Sequence, residues 1–298
     1  MDQPSFPVNE KGFSVQSALK KMVQLFLAIV FGFLLVMILL LYGCQRKLMY
    51  HPQPYRHEIP RELKDWTVET ITFPSENPDQ EAYFMRQKNF SGEESAPKKL
   101  WVCFHGNASL ALDYAHVYFE NMESEQDVAF LLIEYPGYGN SAGSPTRKNI
   151  IRNSELAYAT LLSDRAWKPE DSALGVVGFS MGAAVGLEFA AAQYNVREVI
   201  LFAPFTTILE MANLVVPFPL NYIAIDRFNN TERLKQLIQS NRTNVTIYHG
   251  EADQVIPISM GRELANMHPD FKFNSKPNVD HNTVIDAFIA EFTAQLMD

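Results

Sequence analysis

LGVVGFSMGAAVGLEFAAAQ, residues 174–193, decides the fold. Its first six residues form a short apolar run, the pattern of a strand buried on both faces. From Ala183 onward, strong helix formers predict a helix. Between the two lies GFSMG, which fits G-x-S-x-G. That motif is a sharp turn from strand to helix, with glycines keeping side chains out of a cramped bend. The helix N-terminus then faces any negative charge that develops in front of it. Ser180 is therefore the candidate nucleophile. GNSAG, residues 139–143, fits the same pattern around Ser141. There YPGYG precedes and SPT follows, so turn formers surround the motif and no helix begins at once. It reads as a glycine-rich loop after the strand VAFLLIEY.

Working outward, strand and helix patterns alternate. WTVETITF and EAYFMRQ read as an opening strand pair, followed by the polar loop NFSGEESAPKK. Further strands are LWVCFH, VAFLLIEY, VREVILFAP, NVTIYHG and FKFNS. Helical spacing runs through SLALDYAHVYFENM, NIIRNSELAYATLLSD and MGRELANM, and through the closing TVIDAFIAEFTAQLM. Continuous apolar strands between helices predict an α/β fold, a mostly parallel central sheet with helices on both faces. Residues 205–228, FTTILEMANLVVPFPLNYIAIDRF, are too long for a plain connection and read as a short cap.

A lone G-x-S-x-G carries little, so the remaining parts of an acyl-transfer site must be found. FHGNA, residues 104–108, follows a strand, where an H-G-x turn supplies a backbone N–H to a substrate oxyanion. Asn107 and Met181, the residue after the nucleophile, are the candidate oxyanion donors. His105 reads as fixing the turn rather than moving protons. The acid belongs between nucleophile and base. Asp253 in HGEADQVIP, residues 249–257, occupies a strand-end loop. Glu251 is its neighbour and rival, while Asp226 lies in the cap and reads as paired with Arg227 or another base. The base is expected on the loop after the last strand, which is NVDHNTV with His281. His268 ends a helix beside Pro269, and His249 ends a strand, where a packing role is expected. The order 180, 253, 281 for serine, aspartate and histidine is the one this architecture requires.

FHGNA, EYPGYGNSAG, VVGFSMG, FAPFTTI, DRF, YHGEADQVIP and DHN together resemble the α/β-hydrolase superfamily, from about residue 66 to the C-terminus. The set is similar to a branch of membrane-anchored serine hydrolases with a short cap. That branch is related to the serine-aminopeptidase-like hydrolases and includes protein depalmitoylases, and QRKLMYHP resembles it as well. The resemblance implies Ser180, Asp253 and His281 as the catalytic triad, with Asn107 and Met181 as oxyanion positions. It departs at VDHN, where a glycine-rich turn is frequent. An acylated small molecule, a lipid or a lipidated protein is the implied substrate, and no metal or organic cofactor is implied.

The N-terminal third of the sequence adds a location. Residues 22–42, MVQLFLAIVFGFLLVMILLLY, carry no charge. At ~1.5 Å per residue they cover roughly 30 Å, the hydrocarbon thickness of a bilayer. Expected, then, are a tail over 1–21, a transmembrane anchor over 22–43, a stalk over 44–65 rich in proline and charge, and the hydrolase domain over 66–298. LYGC also resembles a lipoprotein cleavage box, so lipidation at Cys44 is an alternative. Arg46, Lys47, Arg56, Arg61 and Lys64 follow the span and outnumber Lys11, Lys20 and Lys21 before it, which favours a cytoplasmic C-terminal domain.

The net charge of −9, without a basic patch interleaved with aromatics, argues against nucleic-acid binding. Two cysteines, Cys44 and Cys103, exclude a disulfide scaffold and a cysteine-built zinc site. Sequons at Asn89, Asn241 and Asn244 matter only in a eukaryotic secretory lumen, and the one at Asn107, inside a buried turn, would be a poor acceptor. Three functions follow in order: an esterase or thioesterase at a membrane surface, a peptidase using the same triad, and a catalytically silent binding module.

Overall fold

The structure, a computed structural model, describes residues 15–56, 62–76, 80–90, 94–119, 122, 127–216, 218–240 and 242–297. The tail's Lys11, the expected stalk at 57–61, the start of the polar loop at 91–93, Pro217 and the Asn241 sequon lie outside the described residues. The chain divides into two units, Met1–Gln45 and Arg46–Asp298. The first is dominated by α1 (Val15–Met49). It is long and apolar enough to cross a membrane, and none of its most apolar 18-residue window is buried. Cys44 on this helix is exposed and free, and Cys103 is buried and free.

The second unit is built on a sheet of nine described strands: β1 (Glu62–Leu63), β2 (Trp66–Phe73), β3 (Gln80–Gln87), β4 (Lys99–Phe104), β5 (Val128–Ile133), β6 (Ala173–Phe179), β7 (Val196–Phe202), β8 (Asn244–Gly250) and β9 (Lys272–Lys276). Their order is β1-β2-β3-β5-β4-β6-β7-β8-β9. The first three and β5 pair antiparallel. From β5 to β9 every neighbour is parallel. Parallel neighbours need crossovers, and these are α2 (Ala111–Tyr114), α3 (Arg147–Asp164), α4 (Met181–Ala192), α5 (Ile208–Val215), α6 (Asn230–Ser240) and α7 (Ile258–Ala265). The chain closes with α8 (Val284–Ala287) and α9 (Ile289–Met297).

Alternation along a strand sends successive side chains to opposite faces. In β4, Leu100, Val102 and Phe104 enter the core shared with α3, α4 and α6. Trp101 and Cys103 enter the opposite core, with Phe119, Phe292 and Leu296. Both cores are apolar, and burying each such large side chain contributes about 1.5–3 kcal/mol. Helices therefore cover both faces of a mostly parallel sheet, the architecture expected from the sequence.

Three segments differ from the sequence reading. The helical spacing of 109–122 yields only α2, then a π-helical stretch over Ala115–Phe119 that stacks Phe119 on Phe130, ring centroids 4.2 Å apart. The closing helix is interrupted at Phe288 (φ −111°, ψ 16°), whose ring packs 4.9 Å from that of Tyr248. The segment read as a stalk is not free of the domain: Tyr50 is buried in the first core, with Tyr55 partly buried beside it. Proline and charge signalled a linker there, but the intervening tyrosines anchor it.

Residues 205–228, read from the sequence as a cap, hold α5 and a 3-10 turn over Leu220–Ile223. Their Leu214, Val215, Phe218 and Tyr222 are exposed. Asp226 closes the segment and pairs with Arg46, Nε to Oδ2 2.9 Å, not with Arg227. Arg227 instead donates to the carbonyls of Ala224 and Tyr222, at 2.8 and 2.5 Å.

Candidate active site

Parallel strands end at one edge of a sheet, and ligands bind at their carboxyl ends. Here the loops after β4, β6, β8 and β9 carry Asn107, Ser180, Asp253 and His281 respectively.

Ser180 follows β6 directly and precedes the first residue of α4. Its φ of 56° and ψ of −116° lie where L-residues are rarely found. Such a conformation costs roughly 1–3 kcal/mol and persists only where the surroundings enforce it. They do so through Ser180 N donating to Phe202 O at 2.9 Å and through two glycines. A Cβ on Gly178 would stand 2.4 Å from Gly182 O, and one on Gly182 would stand 2.1 Å from Phe104 O. The small residues of G-x-S-x-G thus let β4, β6 and α4 meet at backbone distance.

The turn delivers the Ser180 hydroxyl to His281. His281 Nε2 lies 3.0 Å from Ser180 Oγ, and Nδ1 lies 2.8 Å from Asp253 Oδ2. Ser180 and His281 are both buried, each 8 % exposed. An acceptor carboxylate at Nδ1 fixes the tautomer with its lone pair toward the serine. Asp253 is held in turn: its Oδ1 accepts from Val255 N at 2.8 Å and Ile256 N at 2.9 Å.

His249, for which a packing role was expected, is fully buried and also faces this carboxylate. Its Nε2 is 3.3 Å from Asp253 Oδ2 and 2.9 Å from Ile256 O. The signal for it was present in the four-residue spacing from His249 to Asp253 across one strand-end turn.

Burial works to raise the Asp253 carboxyl, but hydrogen bonds from His249, His281 and Ile256 outweigh it and hold the group well below the usual carboxylate range. A depressed folded-state pKa stabilises the fold above the unfolded value of about 4. That contribution is lost as pH falls toward the folded pKa, because only the unfolded chain then binds the proton. Asp253→Asn is therefore expected to flatten the acid limb of stability below about pH 4. Urea unfolding at a series of acidic pH values measures it, and equal slopes for both proteins would contradict the argument.

Asn107 lies in the turn after β4, and Met181 opens α4. Among the described residues neither backbone N–H has a hydrogen-bond partner. His105 is buried, with Nδ1 2.7 Å from Gly106 O and Nε2 3.1 Å from Glu134 Oε1. It holds the turn and has no part in the Ser180–His281 contact.

The rivals sit elsewhere. Glu251 is exposed and accepts from Ser275 Oγ at 2.8 Å. His268 faces Asp270, at 3.8 Å. Ser141 is buried in the glycine-rich loop, where its Oγ accepts from Glu81 N at 3.0 Å. Ser141→Ala is expected to keep serine reactivity while costing about 1–3 kcal/mol, since the Glu81 N–H loses its acceptor. A lower thermal midpoint with an unchanged turnover rate would show this; lost turnover would make Ser141 part of the chemistry. The Asn107 sequon is engaged in structure, its Nδ2 donating to Met49 O at 3.1 Å. Asn89 and Asn244 are exposed.

Comparisons with known proteins agree with the fold. The family model described as "Serine aminopeptidase, S33" matches residues 95–227, a span that holds Asn107 and Ser180 but ends before Asp253 and His281. The human alpha/beta hydrolase domain-containing protein 17B is 29 % identical over 160 residues, 54 % of this chain. That match spans about half of the human protein's length, 52 %. Protein bem46 of Schizosaccharomyces pombe is 26 % identical over 257 residues, 81 % of each chain. An esterase from Pyrococcus furiosus superposes with a TM-score of 0.58 at 16 % identity, covering 83 % of this chain and 95 % of that one.

Proposed function

Because the chain belongs to the α/β-hydrolase superfamily, we propose that it is a membrane-anchored serine hydrolase cleaving acyl esters or thioesters. The observation that carries this reading is the hydrogen-bonded run from Ser180 Oγ through His281 to Asp253. In the proposed reaction Ser180 Oγ attacks the carbonyl carbon and its proton passes to His281 Nε2. The oxyanion is met by the N–H groups of Asn107 and Met181, each donor worth about 3–4 kcal/mol of transition-state stabilisation. Collapse expels the alcohol or thiol, which takes the proton from His281. Water, deprotonated by His281, then attacks the acyl-serine and releases the carboxylic acid. Asp253 stays ionised throughout and stabilises the imidazolium.

The membrane part of the proposal rests on α1, anchoring through residues 22–43, and the basic residues that follow the span favour the cytoplasmic side for the hydrolase domain. The exposed Leu214, Val215, Phe218 and Tyr222 of the cap suit an acyl-chain substrate. A second reading, an amide-cleaving peptidase, is favoured by the description of the matching family. The test is a panel on the full chain in detergent: p-nitrophenyl butyrate and octanoate, an acyl thioester, and aminoacyl p-nitroanilides. Turnover of the esters and thioester above the anilides is expected. Faster anilide turnover would make it a peptidase, and none at all would favour a silent binding module.

A further inference from the structure

The residues that follow the first unit are bound to the very turn that carries Asn107. Met49 O accepts from Asn107 Nδ2 at 3.1 Å. His51 N donates to Asn107 O at 3.1 Å and lies 3.0 Å from Tyr138 Oη. Gln53 Nε2 donates to Ala108 O at 2.7 Å. Tyr55 Oη donates to Glu134 Oε2 and accepts from Leu112 N at 3.2 Å.

The sequence makes this stretch stiff. In YHPQPY, Pro52 and Pro54 fix their own φ and hold His51 and Gln53 extended. The prolines have no N–H, and the hydrogen bonds come from the residues beside them, His51, Gln53 and Tyr55.

The other side of the grip comes from EYPGYG, the lead into the second serine motif. Tyr138 Oη donates to Asn107 O at 2.7 Å, and Tyr135 Oη donates to His105 O at 2.8 Å. Glu134, fully buried, accepts from Ala111 N at 3.3 Å and faces His105. Gly139 N donates to Gln53 O at 2.9 Å. Gly139 has φ +55°, and a Cβ there would stand 2.5 Å from the Tyr55 ring and 2.6 Å from Glu134 Oε2. The glycine-rich loop is built to close on residues 53–55.

A peptide unit is planar, so fixing its carbonyl fixes the N–H across the bond. His105 holds Gly106 O, which shares a peptide unit with Asn107 N–H, while Tyr138 and His51 hold Asn107 O on the next unit. Both peptide planes that flank Asn107 are thereby set.

We propose that residues 49–55 are a positioning strap for the oxyanion donor Asn107, so that the hydrolytic rate depends on the segment leading out of the apolar helix. This rests on the serine-hydrolase reading. Gln53, through Ala108 O, and Tyr55, through Glu134 and Leu112 N, hold the strap against the turn that carries Asn107 and are positioning residues.

The test uses the full chain in detergent, with p-nitrophenyl butyrate as substrate and a fluorophosphonate as serine probe. Gln53→Ala, Tyr55→Phe and the double variant are compared with wild type and with Lys47→Ala, a change at an exposed site. Misplacing a reacting group by about an ångström costs on the order of a hundredfold. The double variant should therefore lose about tenfold to a hundredfold in kcat. KM should stay within about twofold and the probe's labelling rate should fall in step with kcat, as for an interaction made only in the transition state. Lys47→Ala should match wild type.

A folded double variant with wild-type kcat would overturn the proposal. So would a kcat loss matched by the loss of folded protein in thermal unfolding, which would give the strap a structural role alone. Should Tyr55→Phe not fold, Gln53→Ala carries the test, since it removes one side-chain amide from a part-exposed position. A folded wild type that neither labels nor hydrolyses would sink the hydrolase reading, and the strap's role with it.

Discussion

Ser180→Gly is expected to abolish hydrolysis and to raise the thermal midpoint. The first effect removes the proposed nucleophile from the hydrogen-bonded run to His281. Loss of such a group leaves only binding and oxyanion stabilisation, a fall in kcat on the order of 10⁶-fold. The second effect comes from the turn. Ser180 sits at φ 56° and ψ −116°, strained for a residue with a Cβ. Releasing roughly 1–3 kcal/mol of strain outweighs the roughly 0.5–1 kcal/mol of extra freedom that glycine gains in the unfolded chain. A net gain near 1 kcal/mol moves the midpoint up by about 2–4 °C in a domain of this size. Ser180→Ala keeps the Cβ and its strain, so it should be equally inactive without that rise. Thermal unfolding of the two variants side by side measures the difference, and equal midpoints would mean that the turn stores no strain.

Gly182→Ala is expected to be the most destabilising small change near the site. Its Cβ would fall 2.1 Å from Phe104 O and 2.5 Å from His105 O, both backbone atoms that cannot swing aside. Relief requires α4 to back away from the end of β4, at a cost of about 3 kcal/mol or more. The same shift carries Met181 away from Asn107, so whatever folds should lose about a hundredfold in kcat. Urea unfolding and turnover of an activated ester check the two effects. A variant with wild-type stability and rate would contradict the close approach of β4 and α4.

The fold and the residues that the structure brings together at its strand ends were largely legible. The β6 run, the glycines around Ser180 and the helix after it are local signals, and Asp253 and His281 each follow a recognisable strand in the required order. The continuous apolar strands likewise foretold a sheet covered on both faces, and both faces hold a core. What escaped depends on partners distant in sequence. Residues 44–65 read as a stalk because proline and charge mark linkers, and nothing periodic in YHPQPY reveals hydrogen bonds to Asn107 and Ala108. Glu134 read as the end of a strand and Tyr138 as part of a loop, yet their partners are His105, Tyr55 and Asn107. Asp226 was expected to pair with Arg227 or another base, and its partner, Arg46, lies 180 residues away. His249 was passed over because a strand-end histidine is ordinarily core packing, and only the structure brings its ring to Asp253.

The central claim, that Ser180 is a nucleophile activated by His281, is tested most directly by covalent labelling with a fluorophosphonate. Wild type and Ser141→Ala should label, while Ser180→Ala and His281→Ala, shown to be folded, should not. Label retained on Ser180→Ala, or absent from folded wild type, would contradict it.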